Sequence, residues 1–141
     1  MEPLEFEDLP DEALLLVDSA PIIYFLESHP KLAPRFAPLF EAHGLGRVRF
    51  AVSAITIAEV LVGPLQTGDE ALARRYRAML ERCRPVTVDV DIAETAARFR
   101  ASLHLKLADA IQAASAIAIN AAALVTYDRD FSRVHGLRII S

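Results

Sequence analysis

The chain has 141 residues, of which 53% are apolar, 24% charged and 7% aromatic, with 5 glycines and 8 prolines. That length and apolar fraction suit one domain with a single core, and they exclude a disordered or collagen-like chain. The net charge of −4 hides an asymmetry: residues 2–12 hold six acids and no base, whereas the remainder carries 13 acids against 15 bases, so an acidic total does not exclude a polyanionic substrate.

Residues 1–13 interleave those acids with Leu4, Phe6 and Leu9 and contain two prolines, so the segment reads as a poorly ordered acidic leader before a single domain over 14–141. Residues 14–17 form a short unbroken apolar run, the pattern of a strand buried on both faces of a parallel sheet, and the run stops at Asp18. Ser19 fits a helix cap and Pro21 an early helical position, with Ile22, Ile23, Phe25 and Leu26 as the buried side of a helix to about Ser28. A second helix is predicted over 33–42, stopping at Gly44. Residues 47–52 place Val48, Phe50 and Val52 on one side of a strand, and Ser53 caps a helix predicted to end at Gly63-Pro64. An amphipathic helix follows over 69–84, with Leu72, Tyr76, Met79, Leu80 and Cys83 on its apolar stripe. Residues 86–90 read as a strand, Asp91 opens a helix to about Leu103, and Asp109 opens an alanine-rich helix to Ala122. Strands over 124–126 and 137–140 end the chain. Strands alternating with helices imply an α/β fold, a three-layer sandwich with a mostly parallel sheet of four to five strands flanked by helices.

The longest apolar stretch, 110–125, is too short for a bilayer span and is broken by Gln112, Ser115 and Asn120. The N-terminus shows no basic region followed by an apolar one, and the single cysteine, Cys83, can form no internal disulfide. Both features predict a cytoplasmic protein without membrane association.

Four carboxylates stand out. In an open α/β sheet the functional crevice lies beyond the carboxyl ends of the strands, and Asp18 and Asp128 each follow an apolar strand. Glu59 lies in an otherwise apolar helical segment, where a lone charge is costly. Asp109 stands at the entry of the alanine-rich helix, with Gln112 and Asn120 extending a polar stripe along it. Each also has a structural explanation: strand-end turns for Asp18 and Asp128, an N-cap for Asp109, a helix-end ion pair for Glu59. Asp130 reads as a local cap for the Phe131 turn. Acids converging without bases raise one another's pKa unless cations neutralise them, and hard divalent cations with oxygen ligands suit phosphoryl transfer. The histidines share no metal-ligand spacing, and no Ser/His/Asp or Cys/His set emerges.

The segments LLVDSAPIIYFLE (15–27), SAITIAEVLVG (53–63), LKLADAIQAASA (105–116) and LVTYDRDF (124–131) resemble, in order and spacing, those of PIN-domain ribonucleases, in particular the toxin nucleases of VapBC-type toxin–antitoxin pairs. The resemblance implies that Asp18, Glu59, Asp109 and Asp128 bind one or two Mg²⁺ or Mn²⁺ ions and that water attacks an RNA phosphodiester. It also implies that Ser19, Thr126 and Asp130 support those acids. Ala20 and Tyr127 stand where relatives often have a small polar residue and an asparagine, and the acidic leader is a departure that reads as a mispredicted start, a tag-like tail or a segment that occupies a groove.

Arg74, Arg75 and Arg77, with Arg82 and Arg84 nearby, are candidate RNA contacts, or else a solvated helical face paired with Glu70 and Glu81. Ile22 to Leu26, with Phe36, Leu39 and Phe40, exceed what one buried face needs; with the resemblance this predicts a homodimer that also binds an antitoxin. The alternatives are a housekeeping PIN nuclease of RNA maturation and an inactive RNA- or partner-binding module; a neighbouring antitoxin gene would favour the toxin, and retention of all four acids disfavours inactivity. A haloacid-dehalogenase phosphatase would need an aspartate where Ala20 stands, and a receiver domain leaves Glu59 unexplained.

Overall fold

The apolar run after the leader becomes the middle strand of the sheet. The structure is a computed structural model and describes residues 2–141, with Arg129 through its backbone alone. Strand β1 (Ala13–Val17) pairs in parallel with β2 (Val48–Ser53) on one side and β4 (Ala123–Val125) on the other. Strand β3 (Arg84–Val86) adds outside β2, and β5 (Ile139–Ile140) outside β4. The described residues thus form a five-stranded, all-parallel sheet in the order β3-β2-β1-β4-β5.

Strand alternation divides the core into two clusters, one on each face. Ala13, Leu15 and Val17, with Val48, Phe50, Val52 and Val125, face α1 (Ser19–Leu26), α2 (Leu32–Gly44), α3 (Ala54–Gln66) and α4 (Glu70–Leu80). Leu14, Leu16, Ala51 and Leu124 face α5 (Val90–Leu103) and α6 (Leu107–Ala118). On this second face Ala110, Ala113, Ala114 and Ala116 let α6 approach the sheet closely. Among the described residues no helix is long and apolar enough to cross a membrane.

Several element boundaries differ from the sequence expectation, each for a local reason. Asp18, rather than Ser19, is the N-cap of α1. Helix α3 continues through Pro64, which forfeits only its own missing N–H, while Thr67 N–H to the Gly63 carbonyl and Asp69 N–H to the Pro64 carbonyl close the last turn. Asp69 and Asp89 cap α4 and α5, accepting from Leu72 N at 3.0 Å and Ile92 N at 2.9 Å, so β3 lies two residues before its predicted start and Val90 is already helical. Helix α6 ends at Ala118, because Asn120 takes a left-handed conformation (φ 52°) while Asn120 N–H donates to the Ile117 carbonyl and Ala121 N–H to the Ala116 carbonyl. Asn120 is therefore an exposed turn residue, outside the stripe expected of it.

The expected leader is corrected more substantially. Met1 lies outside the described residues, but Leu4, Phe6 and Leu9 are buried with the side chains of the first core cluster. Guanidinium groups satisfy the backbone of this extended segment: Arg47 donates to the Pro10, Glu7 and Leu9 carbonyls, and Arg138 donates to the Glu5 carbonyl and to both oxygens of Asp8 at 2.7 and 2.8 Å. Arg35 joins the Glu2 carbonyl to the Ser141 carbonyl. The six acids dominate the composition of this stretch, whereas its three apolar anchors bind it to the fold. Arg47 and Arg138 precede β2 and β5, so the segment sits at the amino edge of the sheet and fills no groove at the carboxyl edge.

Candidate active site

The carboxyl edge of the sheet is where backbone direction and charge meet. The Asp18 N–H still donates to the Val125 carbonyl (2.8 Å), holding the residue at the end of β1, and its carboxylate then caps α1 by accepting from Ser19 N at 2.8 Å. The same Asp18 Oδ1 accepts from Gln112 Nε2 at 3.1 Å, and Oδ2 accepts from the Thr126 hydroxyl at 2.9 Å. Only 8% exposed, the Asp18 carboxyl is pushed above the usual carboxylate range by burial, an effect these donors only partly offset.

Gln112 is the hub beneath it. Its Nε2 donates to Asp18 Oδ1 and to Thr56 Oγ1 (2.5 Å), while its Oε1 accepts from the Ser53 hydroxyl at 2.8 Å. The opposite amide orientation would set Oε1 against a carboxylate, so the network itself fixes which end is which. Ser53, Thr56 and Gln112 are all buried, and the amide ties the end of β2 and the start of α3 to α6 and β1.

Thr126 connects Asp18 to the third element. Its Oγ1 also accepts from Asp128 N at 3.0 Å, and Asp128 Oδ1 accepts from Asp130 N at 2.9 Å to cap the 3₁₀ turn Arg129–Arg133. Asp109, in the first turn of α6, completes the opposite wall. Burial raises its carboxyl to about 6, helped by the charges of Asp128 and Asp18, with Lys106 offsetting only part. Glu59 of α3 is raised as well, by burial and then by the Asp18 charge, while the Ser19 hydroxyl favours its ionised form.

Asp18, Glu59, Asp109 and Asp128 all line one cleft of about 380 Å³, together with Ser19, Gln112 and Thr126. Among the described residues that lining contains no lysine or arginine. Also among the described residues, no three His, Cys, Asp or Glu side chains are grouped closely enough to hold a metal by themselves. The donor set nevertheless fits a hard divalent cation: it consists of oxygens, no lysine or arginine among the described lining residues balances its charge, and Mg²⁺ usually takes only one or two carboxylates and completes its shell with water and substrate phosphate.

Other predicted residues lie elsewhere. The Asp130 carboxylate is exposed and faces Arg133 at 3.8 Å, so it does not orient the cleft acids; only its backbone N–H reaches Asp128. Arg74 and Arg75 are exposed on α4, and Arg77 pairs with Glu81 at 2.8 Å; none of the three lines the cleft. Ile22, Phe36, Leu39 and Phe40 are buried in the domain's own core, whereas Ile23, Tyr24 and Leu26 are partly buried and Phe25 is 37% exposed and stacked on Phe40 at 4.1 Å.

The sequence model of the PIN domain matches residues 15–137, from within β1 to just before β5. The chain belongs to the PIN-domain family. No curated protein matches it at the sequence level. Among solved structures, this PIN domain is similar to a toxin–antitoxin complex from Klebsiella pneumoniae (26% identity, TM-score 0.71, covering 90% of this chain and 96% of the other). It is also similar to VapBC-1 from nontypeable Haemophilus influenzae (25% identity, TM-score 0.69, 89% and 96%). Mycobacterium tuberculosis VapC20, described as a Sarcin-Ricin loop cleaving toxin, shares the fold at 14% identity (TM-score 0.72, 90% and 99%).

Sequence reading overlooked the Ser53–Gln112–Thr56 network of this PIN domain, seeing Ser53 only as a cap and Gln112 only as part of a stripe. The available signal was the polar Thr56 and Gln112 on two mostly apolar helices.

Proposed function

We propose that this PIN domain is a divalent-cation-dependent endoribonuclease acting as the cytoplasmic toxin of a toxin–antitoxin pair. The observation that carries the reading is the convergence of Asp18, Glu59, Asp109 and Asp128, from four different elements, on one cleft without a compensating base among its described lining residues. The similarity to toxin–antitoxin complexes at 25–26% identity supports the pairing with an antitoxin.

In this reading the four carboxylates would hold one or two Mg²⁺ or Mn²⁺ ions. Such a cation supplies the charge that polarises a phosphate and eases deprotonation of water. The chain's own groups prepare the place. Gln112 and Thr126 hold one oxygen each of Asp18, so its carboxylate has a single orientation before any ligand arrives. Thr126 also fixes the backbone that carries Asp128. Burial makes the acids hold protons more tightly, so cation and protons compete for the same oxygens. An antitoxin side chain bringing a guanidinium into the cleft would neutralise the same acids and inhibit. A homodimer belongs to the same reading, with Phe25 as the most exposed of the apolar residues α1 leaves for it.

The test is incubation of the purified chain with structured RNAs and with single-stranded DNA, in Mg²⁺, Mn²⁺ or chelator. RNA fragments that appear only with cation are the expected result. RNA left intact under all three conditions would refute the reading.

A further inference from the structure

The cleft presents a difficulty to an RNA substrate. Cations held by the four carboxylates would attract the scissile phosphate, but no lysine or arginine among the cleft's described lining residues holds the phosphates on either side of it. What the cleft does offer is two tyrosines, Tyr24 and Tyr127, on the same lining as the acids. Tyr127 is 41% exposed, high for an aromatic ring in a domain that buries five of its seven phenylalanines.

The position of Tyr127 is fixed by the machinery around it. It lies between Thr126, which donates to Asp18, and Asp128, whose N–H donates to Thr126 Oγ1. Two perpendicular ring contacts brace it, to Tyr24 (centroids 6.0 Å apart, 89°) and to the buried Phe36 (6.4 Å, 80°), and Tyr24 is itself set against His29 at 5.2 Å. A ring held by its backbone and by two aromatic neighbours loses little freedom when something stacks on it.

We propose that Tyr127, braced by Tyr24 and Phe36, is a stacking platform for one unpaired nucleobase of the RNA beside the scissile phosphate, making it a specificity-determining residue of the cleft. This rests on the ribonuclease reading above. Stacking does not depend on the charge of the cleft, so it adds affinity beside whatever phosphate contacts form. It also requires a base free of its neighbours, and so selects loops and single strands over continuous duplex.

The test uses a single-stranded RNA and a series in which one nucleotide at a time lacks its base. For wild-type protein, KM should rise roughly tenfold when the base flanking the cleaved bond is removed, with kcat little changed. Tyr127→Ala should show a similar rise on the intact RNA and no further rise on that abasic member, and Tyr127→Phe should restore the wild-type KM. A readout independent of cleavage is available because the chain has 3 tyrosines and no tryptophan. Tyrosine emission of the full-length Asp18→Asn protein should be quenched by the intact RNA, and adding Tyr127→Phe should remove much of that quenching without loss of affinity. Cleavage in which Tyr127→Ala discriminates the abasic series as wild type does overturns the platform and leaves the nuclease reading standing. RNA that is neither cleaved nor able to quench overturns both.

Discussion

Gln112 uses both of its N–H donors and its carbonyl oxygen on three other elements, so its removal should cost more than a single contact. Gln112→Leu leaves the buried Ser53 hydroxyl without its acceptor and the buried Asp18 Oδ1 without one of its donors. The expected loss of unfolding free energy is about 1–3 kcal/mol, measured by urea denaturation; an unchanged midpoint would show that the network is not maintained in solution. The acids carry the opposite sign. Asp109 titrates near 6 in the folded protein against 3.8 as a free side chain, so the native state holds the proton more tightly. Its contribution to stability is present below about pH 4 and is lost as the pH climbs through 6; Asp18 and Glu59 are shifted in the same direction. In chelator at pH 7, Asp109→Asn should therefore melt above wild type, and the two should converge at pH 4. A variant that melts lower at pH 7 would contradict the electrostatic account. Cation affinity, read by the melting shift on adding Mg²⁺, should likewise strengthen from pH 5 to pH 7.

Elements show where sequence reading succeeds and where it stops. β1 and the alternating β2 were legible because an apolar run or a period of two is a property of consecutive residues, and Asp18 and Asp128 were legible because they end such runs. β3 was not: Arg84-Pro85-Val86 has little strand character, and its place at the sheet edge, where a proline lacking an N–H is tolerated, is set by pairing with Ala51 to Ser53. The bond from Gln112 to Asp18 joins residues 94 apart, a separation that no local pattern records. Helix α4 remains a test of charge. If Arg74 and Arg77 track phosphates beyond the cleft, Arg74→Glu with Arg77→Glu should weaken RNA binding and flatten its salt dependence by about one unit of slope per lost contact. An unchanged slope in a binding titration would make α4 a solvated face, as the Arg77–Glu81 pair already suggests for one of its arginines.

At the scale of the molecule, the N-terminal segment and the cleft occupy opposite edges of one sheet. Phe6 is 9% exposed among the first core cluster, so Phe6→Ala should lower stability by about 3 kcal/mol and leave the carboxyl edge unaltered. Stability unchanged by that substitution would return residues 2–12 to the role of a loose leader. Phe25 is the most exposed apolar residue of α1, and sedimentation of wild type and Phe25→Glu at micromolar concentration decides whether it supports the proposed dimer. In the proposed function, four carboxylates from four elements form one cation-dependent nuclease site. The most direct measurement is the single-turnover rate of RNA cleavage by wild type and by Asp18→Asn across a Mg²⁺ titration. The account predicts a wild-type rate that rises to saturation with Mg²⁺, and an Asp18→Asn rate at least about a hundredfold lower at every concentration while the variant remains folded. Cleavage by Asp18→Asn at the wild-type rate, or wild-type cleavage that persists in chelator, would contradict it.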